Sequence, residues 1–297
     1  MKTSGIGRQA MAMHQGIHVE ESGTPGSPAV VFLHGAGASG RMWSKHMAGL
    51  QGSFHCLAPD FPGFGRSNHL PSASRTETAD LVAELIETRV PECRAHIAGL
   101  SWGGGVAHTM LERHADLVDR AVIDGAGLLS WWANEPFLAT ITAITPFLHT
   151  PPVIALFGDF IGMDEDGRAD LRASSRSAFR RAFVDGFHVK PSPTELAAPC
   201  PTLLVAGEAE TDVRPSNAAQ ASLMQHAVAV YAPGGRHGWV ARQADLHVRM
   251  VEAWLTGQEL PAELVPEPPA PSAVERLRRV LGEEVRDADD RRAAQPR

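Results

Sequence analysis

The sequence has few residues of the kinds that stabilise disulfide-linked proteins or bind nucleic acids. It contains three cysteines in 297 residues, at positions 56, 93 and 200, and none of them forms a Cys-x-x-Cys pair. An odd number of widely spaced cysteines is typical of free thiols in a reducing compartment. Acidic residues (34) outnumber lysine and arginine (27), so no basic surplus exists to neutralise phosphates. We therefore expect no nucleic-acid partner.

Long hydrophobic runs are also missing. The most apolar stretch, 141–160, is interrupted by prolines and falls short of the roughly 20 apolar residues that a membrane helix needs. The first thirteen residues have no apolar core and do not resemble a secretory signal. We accordingly expect no membrane partner and a cytoplasmic location. The hydrophobic fraction of 43% is ordinary for a globular protein.

Short apolar runs alternate with longer amphipathic segments, which predicts an α/β fold with a mostly parallel central sheet and helices on both faces. The predicted strands are 17–20, 29–33, 54–58, 95–98, 120–123, 202–206 and 228–231. The predicted helices are 76–89, 102–113, 215–225 and 241–255.

The alternation stops between residues 129 and 198, where no strand-like run occurs. We interpret 129–198 as a helical cap inserted into a sheet domain formed by 1–128 and 199–257. The remaining segment, 258–297, reads as a proline-rich linker followed by a charged helix with one apolar face. That helix could fray, pack on the core or join two subunits, so a homodimer stays possible.

The sequence Gly-Leu-Ser-Trp-Gly at 99–103 lies between a predicted strand and a predicted helix. This is the G-x-S-x-G pattern of a nucleophile elbow. A serine on so sharp a turn needs neighbours without side chains, because the chain segments on both sides pack closely. The turn would hold the hydroxyl group of Ser101 clear of the sheet edge, beside the N-terminus of a helix. Ser101 is therefore the candidate nucleophile.

A glycine-rich loop, His-Gly-Ala-Gly-Ala-Ser-Gly at 34–40, follows the predicted strand 29–33. Backbone N–H groups at the carboxyl end of such a strand can bind an oxyanion. The glycines also match the G-x-G-x-x-G spacing, so a dinucleotide site is a competing interpretation. The preceding His34 disfavours it, and only Asp60 offers an acidic residue at the end of the next strand.

Two later loops supply an acid and a base. Glu210 follows the apolar strand 202–206, and Asp212 lies two residues further on. His237 lies between glycines after the last predicted strand, where it has room to reach a substrate. The chain order is thus serine, acid, histidine. No pair of histidines has the H-E-x-x-H spacing, so we expect no metal.

A fifth segment, Asp-Phe-Pro-Gly-Phe-Gly-Arg-Ser at 60–67, is expected to hold the loops in place through Asp60 and Arg66. The order of these five segments along the chain resembles that of the α/β-hydrolase fold serine hydrolases of the esterase type. The resemblance covers about 15–257, with the cap matched by position rather than by sequence. It implies a small-molecule substrate and no organic cofactor.

The resemblance also implies the roles of individual residues. Ser101 would attack a carbonyl carbon, His237 would accept its proton, and Glu210 would orient the imidazole. Asp212 and Asp124 stay open as alternative acids, since some family members supply the acid from the strand that ends at Asp124. The remaining site residues implied are two oxyanion donors, the N–H groups of Ala36 and Trp102, and three substrate contacts, Trp131, Trp102 and Gly35.

The expected reaction is hydrolysis of a carboxylic ester, lactone or thioester of a small to medium, largely apolar substrate through an acyl-enzyme. One alternative is a carbon–carbon bond hydrolase acting on dienoic acids, which would need a cation in the pocket. Another is a non-catalytic ligand-binding protein with the same fold. The arginines that could supply the cation, or form a solvated face, are at 168, 172, 176, 180 and 181.

Overall fold

A central sheet of eight strands forms the middle layer of the part of the chain that the structure describes. The structure is a computed structural model and describes residues 16–128, 135–187, 192–197 and 200–293. The sheet order is β1-β3-β2-β4-β5-β6-β7-β8, with β1 and β8 antiparallel at the edges and the inner strands parallel. The strands are β1 (Val19–Ser22), β2 (Ala29–Leu33), β3 (His55–Pro59), β4 (Ala95–Leu100), β5 (Val118–Asp124), β6 (Thr202–Gly207), β7 (Ala227–Ala232) and β8 (Val265–Pro266).

Helices cover both faces of the sheet, which is why every residue of β2, β3, β4 and β6 is buried. Leu85 and Met110 fill the core on one face, whereas Trp43 and Met250 fill the core on the other. The predicted α/β fold is confirmed.

The helices around the sheet are α1 (Ser44–Leu50), α2 (Arg75–Arg89), α3 (Trp102–Arg113), α9 (Val213–Leu223), α10 (Trp239–Arg242), α11 (Ala244–Thr256) and α12 (Pro271–Ala293). The helices between β5 and β6 are α4 (Glu135–Ile144), α5 (Pro151–Ile161), α6 (Glu165–Ala173), α7 (Arg176–Phe187) and α8 (Pro193–Leu196).

The segment between β5 and β6 is helical wherever the structure describes it. Its helices share a small core of their own, in which Phe157, Leu171 and Phe179 are buried. The same segment packs on the sheet domain, because an added Cβ at Gly63 would lie 2.3 Å from the Cβ of Ala178. We keep 129–198 as the proposed limits of this cap.

The C-terminal segment packs against the rest of the chain. Within the stretch expected to be a linker, β8 pairs with β7, and the buried carboxylate of Glu267 accepts a 2.9 Å hydrogen bond from Arg214. Helix α12 then lies on α9, with Leu277 fully buried against Ala219. The apolar face of α12 is therefore covered within the same chain, and a homodimer stays a prediction. None of the described helices combines the length and the apolar character needed to span a membrane.

Replacing Leu277 by alanine is expected to lower the free energy of unfolding by about 2–5 kcal/mol, because it leaves a cavity between α12 and α9. Leu156 is the matched control, since 68% of its surface is exposed on α5. Its replacement by alanine is expected to change the free energy by less than about 0.5 kcal/mol. Chemical denaturation measures both, and equal effects would contradict the docking of α12.

Candidate active site

Ser101 occupies the turn between β4 and α3 in a backbone conformation that few residues with a side chain adopt. Its φ is 57° and its ψ is −115°, and only Cys93 shares a positive φ among the described non-glycine residues. Such conformations cost about 1–3 kcal/mol and persist only where the surroundings impose them. Here the Ser101 N–H donates to the Asp124 carbonyl at 2.8 Å, and the Gly105 N–H donates to the Ser101 carbonyl at 2.9 Å.

The glycines that flank Ser101 are required by close backbone contacts. A Cβ at Gly99 would lie 2.3 Å from the carbonyl oxygen of Gly103, and a Cβ at Gly103 would lie 2.1 Å from that of Leu33. Both distances are far below van der Waals contact, and the atoms met are backbone atoms that cannot rotate away. This is the steric reason, expected from the sequence, for glycine on both sides of the serine.

Replacing Gly103 by alanine is expected to destabilise the fold by more than about 3 kcal/mol, beyond an ordinary overpacking change. The control is Gly282→Ala in α12, where an added Cβ would meet nothing within 4 Å. That change is expected to stabilise the protein by about 0.5–1 kcal/mol, because alanine favours the helix. The midpoint of thermal unfolding reports both variants. A Gly103 variant as stable as the parent would contradict the close contact.

His237 and Glu210 make a short polar contact at the site. Nδ1 of His237 lies 2.6 Å from Oε1 of Glu210, while Oε2 of Glu210 accepts the Gly207 N–H at 2.7 Å. The carboxylate is 8% exposed. Gly125, with φ of +61°, allows the close approach of the ring, since a Cβ there would lie 2.9 Å from Cε1 of His237.

The charge of Glu210 sets the protonation of His237. Burial acts to lower the pKa of the imidazole, but the charge of Glu210 and its hydrogen bond act to raise it, and the charge of Asp212 adds to them. The attraction outweighs burial, so the pKa of His237 lies above its ordinary value of 6.5. An imidazole in this state is well suited to hold a proton transiently.

The two alternative acids lie elsewhere around the histidine. Asp124, at the end of β5, is 1% exposed and accepts a hydrogen bond from Nε1 of Trp239 at 3.2 Å. Asp212 is exposed at the N-terminus of α9 and lines the cavity described below. Of the three candidate acids, the structure brings Glu210 into contact with the ring of His237.

The glycine-rich loop lies directly beside the serine. A Cβ at Gly35 would lie 3.5 Å from the Cβ of Ser101, which favours the interpretation of this segment as an oxyanion loop. His34 is fully buried, with Nδ1 donating to the Gly35 carbonyl at 2.8 Å and Nε2 accepting the Phe61 N–H at 3.0 Å. This pattern requires a neutral ring, and burial does lower the pKa of His34. His34 thus shapes the loop.

Asp60 holds the far end of this loop, as also expected. Its two carboxylate oxygens accept the N–H groups of Gly40 and Arg66, each at 2.7 Å. Trp102 is the first residue of α3, so its backbone N–H has no acceptor within the helix. The N–H group of Trp102 is therefore available to bind an oxyanion, and Ala36 lies in the wall of the cavity described below.

The cap contacts the glycine-rich loop, a contact that no sequence motif predicted. Asp170 of α6 is buried, and its carboxylate accepts a hydrogen bond from the Ser39 hydroxyl at 2.6 Å and one from Arg41 at 2.7 Å. These residues are 131 and 129 positions apart in the chain. A long-range pair of this kind has no local sequence signal.

A cavity of about 530 Å³ lies between the cap and the sheet edge. Ser101, His237 and Glu210 all line it, together with Gly35 and Ala36. Much of the wall is apolar, and its larger apolar members are Met42, Leu100, Phe157, Ile161, Met163, Phe183, Val213 and Val240.

Of the two described residues that were expected to contact substrate, Gly35 lies in the cavity wall and Trp102 does not. The side chain of Trp102 is 5% exposed and packs in the hydrophobic core, which differs from the expectation of a substrate contact. The expected wall residue Trp131 lies outside the described residues. Sequence spacing could not reveal the direction of the Trp102 side chain, because the elbow fixes only its backbone.

The cap arginines lie outside the cavity wall. Arg168 pairs with Asp159 at 2.7 Å and Arg172 with Glu165 at 3.0 Å, whereas Arg176 and Arg180 are exposed. The fifth, Arg181, bonds the Ser72 carbonyl. Four of these arginines (172, 176, 180 and 181) are exposed and form a solvated face, whereas the side chain of Arg168 is only 18% exposed. Within the described ranges, no cluster of three metal-ligating side chains occurs either.

Comparison with known proteins gives a family. The model of the alpha/beta hydrolase family matches residues 30–253. An AB hydrolase superfamily protein of Gibberella zeae is 27% identical over 259 residues, 81% of this chain and 84% of that protein. A 2-hydroxymuconate semialdehyde hydrolase of Pseudomonas sp. is 28% identical over 197 residues, 64% of this chain and 68% of that protein.

A solved structure agrees with the family match. Carboxylesterase CesB (YbfK) from Bacillus subtilis superposes with a TM-score of 0.67 and covers 86% of this chain and 97% of its own. Its identity to this chain is 21%, so this likeness shows the fold alone. The family match covers well over half of the chain, and the sheet carries the serine turn and the histidine loop at the same edge. The chain belongs to the alpha/beta hydrolase family.

Proposed function

We propose that the chain is a serine hydrolase that cleaves a carboxylic ester, lactone or thioester of a small to medium, largely apolar substrate. The observation that carries the proposal is the 2.6 Å contact between His237 and Glu210 in the wall of the cavity that Ser101 also lines. A strained serine, a histidine with a carboxylate partner and free backbone donors are the parts that acyl transfer needs.

In the first half of the reaction, Oγ of Ser101 attacks the ester carbonyl carbon while His237 accepts the hydroxyl proton. The negative charge that develops on the carbonyl oxygen is held by the N–H groups of Ala36 and Trp102. Loss of one such donor typically costs about 10²–10³ in kcat. His237 then gives its proton to the leaving alcohol, the carbon–oxygen bond breaks, and the acyl group stays on Ser101.

In the second half, water attacks the acyl-enzyme and His237 accepts one of its protons. The tetrahedral intermediate collapses, His237 returns the proton to Ser101, and the carboxylic acid leaves. Glu210 keeps the proton of Nδ1 in place and stabilises the imidazolium in both halves. Chemically, neither half requires a metal or an organic cofactor.

The apolar cavity wall predicts a preference for longer acyl chains among p-nitrophenyl esters. Each methylene that enters an apolar site contributes about 0.8 kcal/mol, or about fourfold in kcat/KM. We expect kcat/KM to rise by this factor from acetate upward until the chain exceeds the cavity. Steady-state kinetics on an acetate-to-decanoate series measures it. No ester turnover at any length would overturn the proposed function, and the binding-protein alternative would then be favoured.

A carbon–carbon bond hydrolase is the second candidate, because a 2-hydroxymuconate semialdehyde hydrolase is among the relatives. Among the described residues, one arginine lies in the cavity wall. This residue, Arg236, is next to His237 and could bind a substrate carboxylate. Asp164 and Asp212 line the same cavity and oppose an anionic substrate. Supplying a 2-hydroxy-6-oxodienoate beside the esters decides between the two: higher kcat/KM on the dienoate would replace the ester proposal.

A further inference from the structure

One buried cluster of titratable side chains lies behind the candidate triad and has no role in the proposed steps. Asp124, His247 and His46 are each at most 1% exposed and come from β5, α11 and α1. Oδ2 of Asp124 lies 3.4 Å from Nε2 of His247, and Nδ1 of His247 lies 2.8 Å from Nε2 of His46. The cluster therefore runs from the end of β5 to the face of the sheet that α1 and α11 cover.

Asp124 contacts both sides of the candidate site without lining the cavity. Its carbonyl oxygen accepts the Ser101 N–H at 2.8 Å, and the next residue, Gly125, lies against the ring of His237. Its Oδ1 accepts the indole N–H of Trp239, two residues after His237. A shift of Asp124 would consequently move the serine turn and the histidine loop together.

The donors around Asp124 are too few for a buried carboxylate. Asp60 and Glu210, two other buried carboxylates of this region, each accept two hydrogen bonds of 2.7 Å or shorter: Asp60 from Gly40 and Arg66, and Glu210 from Gly207 and His237. Asp124 accepts a single hydrogen bond, at 3.2 Å, and Oδ2 makes none among the described residues. An unpaired buried charge is far more costly than a neutral carboxyl group.

We infer that Asp124 is a positioning residue whose neutral carboxyl group links the turn of Ser101 to the helices that follow His237, an inference that rests on the proposed function. The protonated Oδ2 donates towards Nε2 of His247. A neutral His247 then carries its proton on Nδ1 and donates it to Nε2 of His46. The chain of donors starts at Asp124 and leaves Glu210 as the anion that contacts His237.

The surrounding charges support this protonation state. Burial, and then the charge of Glu210, raise the pKa of Asp124 to about 8, against smaller opposing effects of Trp239 and His237. Burial lowers the pKa of His247 to about 3. Burial also lowers the pKa of His46 well below its ordinary value, with help from His247 and Lys45. All three side chains of the cluster are therefore uncharged near neutral pH.

The test compares the pH dependence of unfolding in the parent protein and in Asp124→Asn, whose amide mimics the neutral carboxyl group in shape. An Asp with a folded-state pKa near 8 and an ordinary pKa of 3.8 releases its proton on unfolding at any pH between these two values. The unfolding constant of the parent, relative to Asp124→Asn, is then expected to rise about tenfold per pH unit between pH 5 and 7. Denaturant titrations at three pH values measure this ratio.

The exposed Asp116 is the matched control, and Asp116→Asn is expected to leave the corresponding ratio constant. A constant ratio for Asp124→Asn as well would overturn the inference, because Asp124 would then be ionised in the folded protein. This readout needs no substrate. It therefore stays valid if ester hydrolysis fails, and absence of ester turnover would overturn the proposed function without changing the ratio.

Kinetics separates a positioning role from a merely structural one. Asp124→Ala is expected to lower kcat about 10²-fold, with KM within about twofold of the parent value. Asp124→Asn is expected to have a kcat at least tenfold higher than that of Asp124→Ala, because the amide retains part of the hydrogen-bonded network. If Asp124→Asn were as inactive as Asp124→Ala, or lost as much kcat as a Glu210 variant, Asp124 would have to act as an anion. If Asp124→Ala does not fold, the unfolding ratio of the asparagine variant decides alone.

Discussion

Replacing Ser101 by alanine is expected to lower kcat for p-nitrophenyl esters by about 10⁴–10⁶, because it removes the only side chain that bonds to the acyl carbon in the proposed mechanism. KM is expected to change little, since the apolar walls that bind the acyl chain stay in place. A small remaining rate over water would come from the oxyanion donors and from substrate binding. Steady-state kinetics on the preferred ester measures the change.

The stability of the Ser101 variant makes this result interpretable. The hydroxyl group is removed without adding atoms, and alanine retains the positive φ of 57° that the turn imposes. Unfolding at the parent midpoint within a few degrees would show that the loss is chemical. A variant that keeps more than a tenth of the parent kcat would mean that Ser101 is not the nucleophile.

Replacing Glu210 by glutamine is expected to lower kcat by about 10³–10⁴, the second-largest effect. The Gly207 N–H, 2.7 Å from Oε2, requires an acceptor and so takes the amide oxygen. The amide NH₂ then faces Nδ1 of His237 and forces the ring proton onto Nε2. In that tautomer the ring cannot accept the proton of Ser101.

The same variant is expected to move the acidic limb of the kcat/KM profile. His237 must be neutral to act as a base, and in the parent its pKa lies above 6.5, so activity is lost as pH falls through that raised value. Loss of the Glu210 charge leaves burial as the larger effect on the imidazole. The limb of the residual activity should therefore shift to lower pH.

Asp212→Asn is the matched control for Glu210→Gln. Asp212 is exposed and lies two residues from Glu210, so its loss is expected to lower kcat by less than about tenfold, as for a partly screened charge. If Asp212→Asn instead lost more kcat than Glu210→Gln, the acid would be assigned to Asp212. That outcome would require the loop to rearrange in the working enzyme.

The fold was predictable because four strands, β2, β3, β4 and β6, are buried throughout and form apolar runs in the sequence. Strand β2 has the predicted bounds, and α3 begins and ends as predicted. Helix 241–255 was predicted as one element but is divided into α10 and α11 near Gln243. Strand β8 was missed, since two residues, Val265 and Pro266, are too short to show an alternating pattern.

The site was predictable where its chemistry is local in sequence. The elbow glycines and His237 follow from steric rules that act over a few residues, and the structure places them at one sheet edge. The contacts of Asp170 with Ser39, and of Asp124 with His247, join residues more than 100 positions apart. Their geometry depends on tertiary packing, so the sequence contained no pattern from which to predict them.

The most direct test of the central claim is intact-mass spectrometry after treatment with a fluorophosphonate, applied to the parent protein and to Ser101→Ala. An activated serine displaces fluoride and forms a stable phosphonyl ester, so the parent is expected to gain one adduct. The Ser101 variant is expected to gain none. An unmodified parent protein, or an adduct that persists in Ser101→Ala, would contradict the assignment of Ser101 as an activated nucleophile.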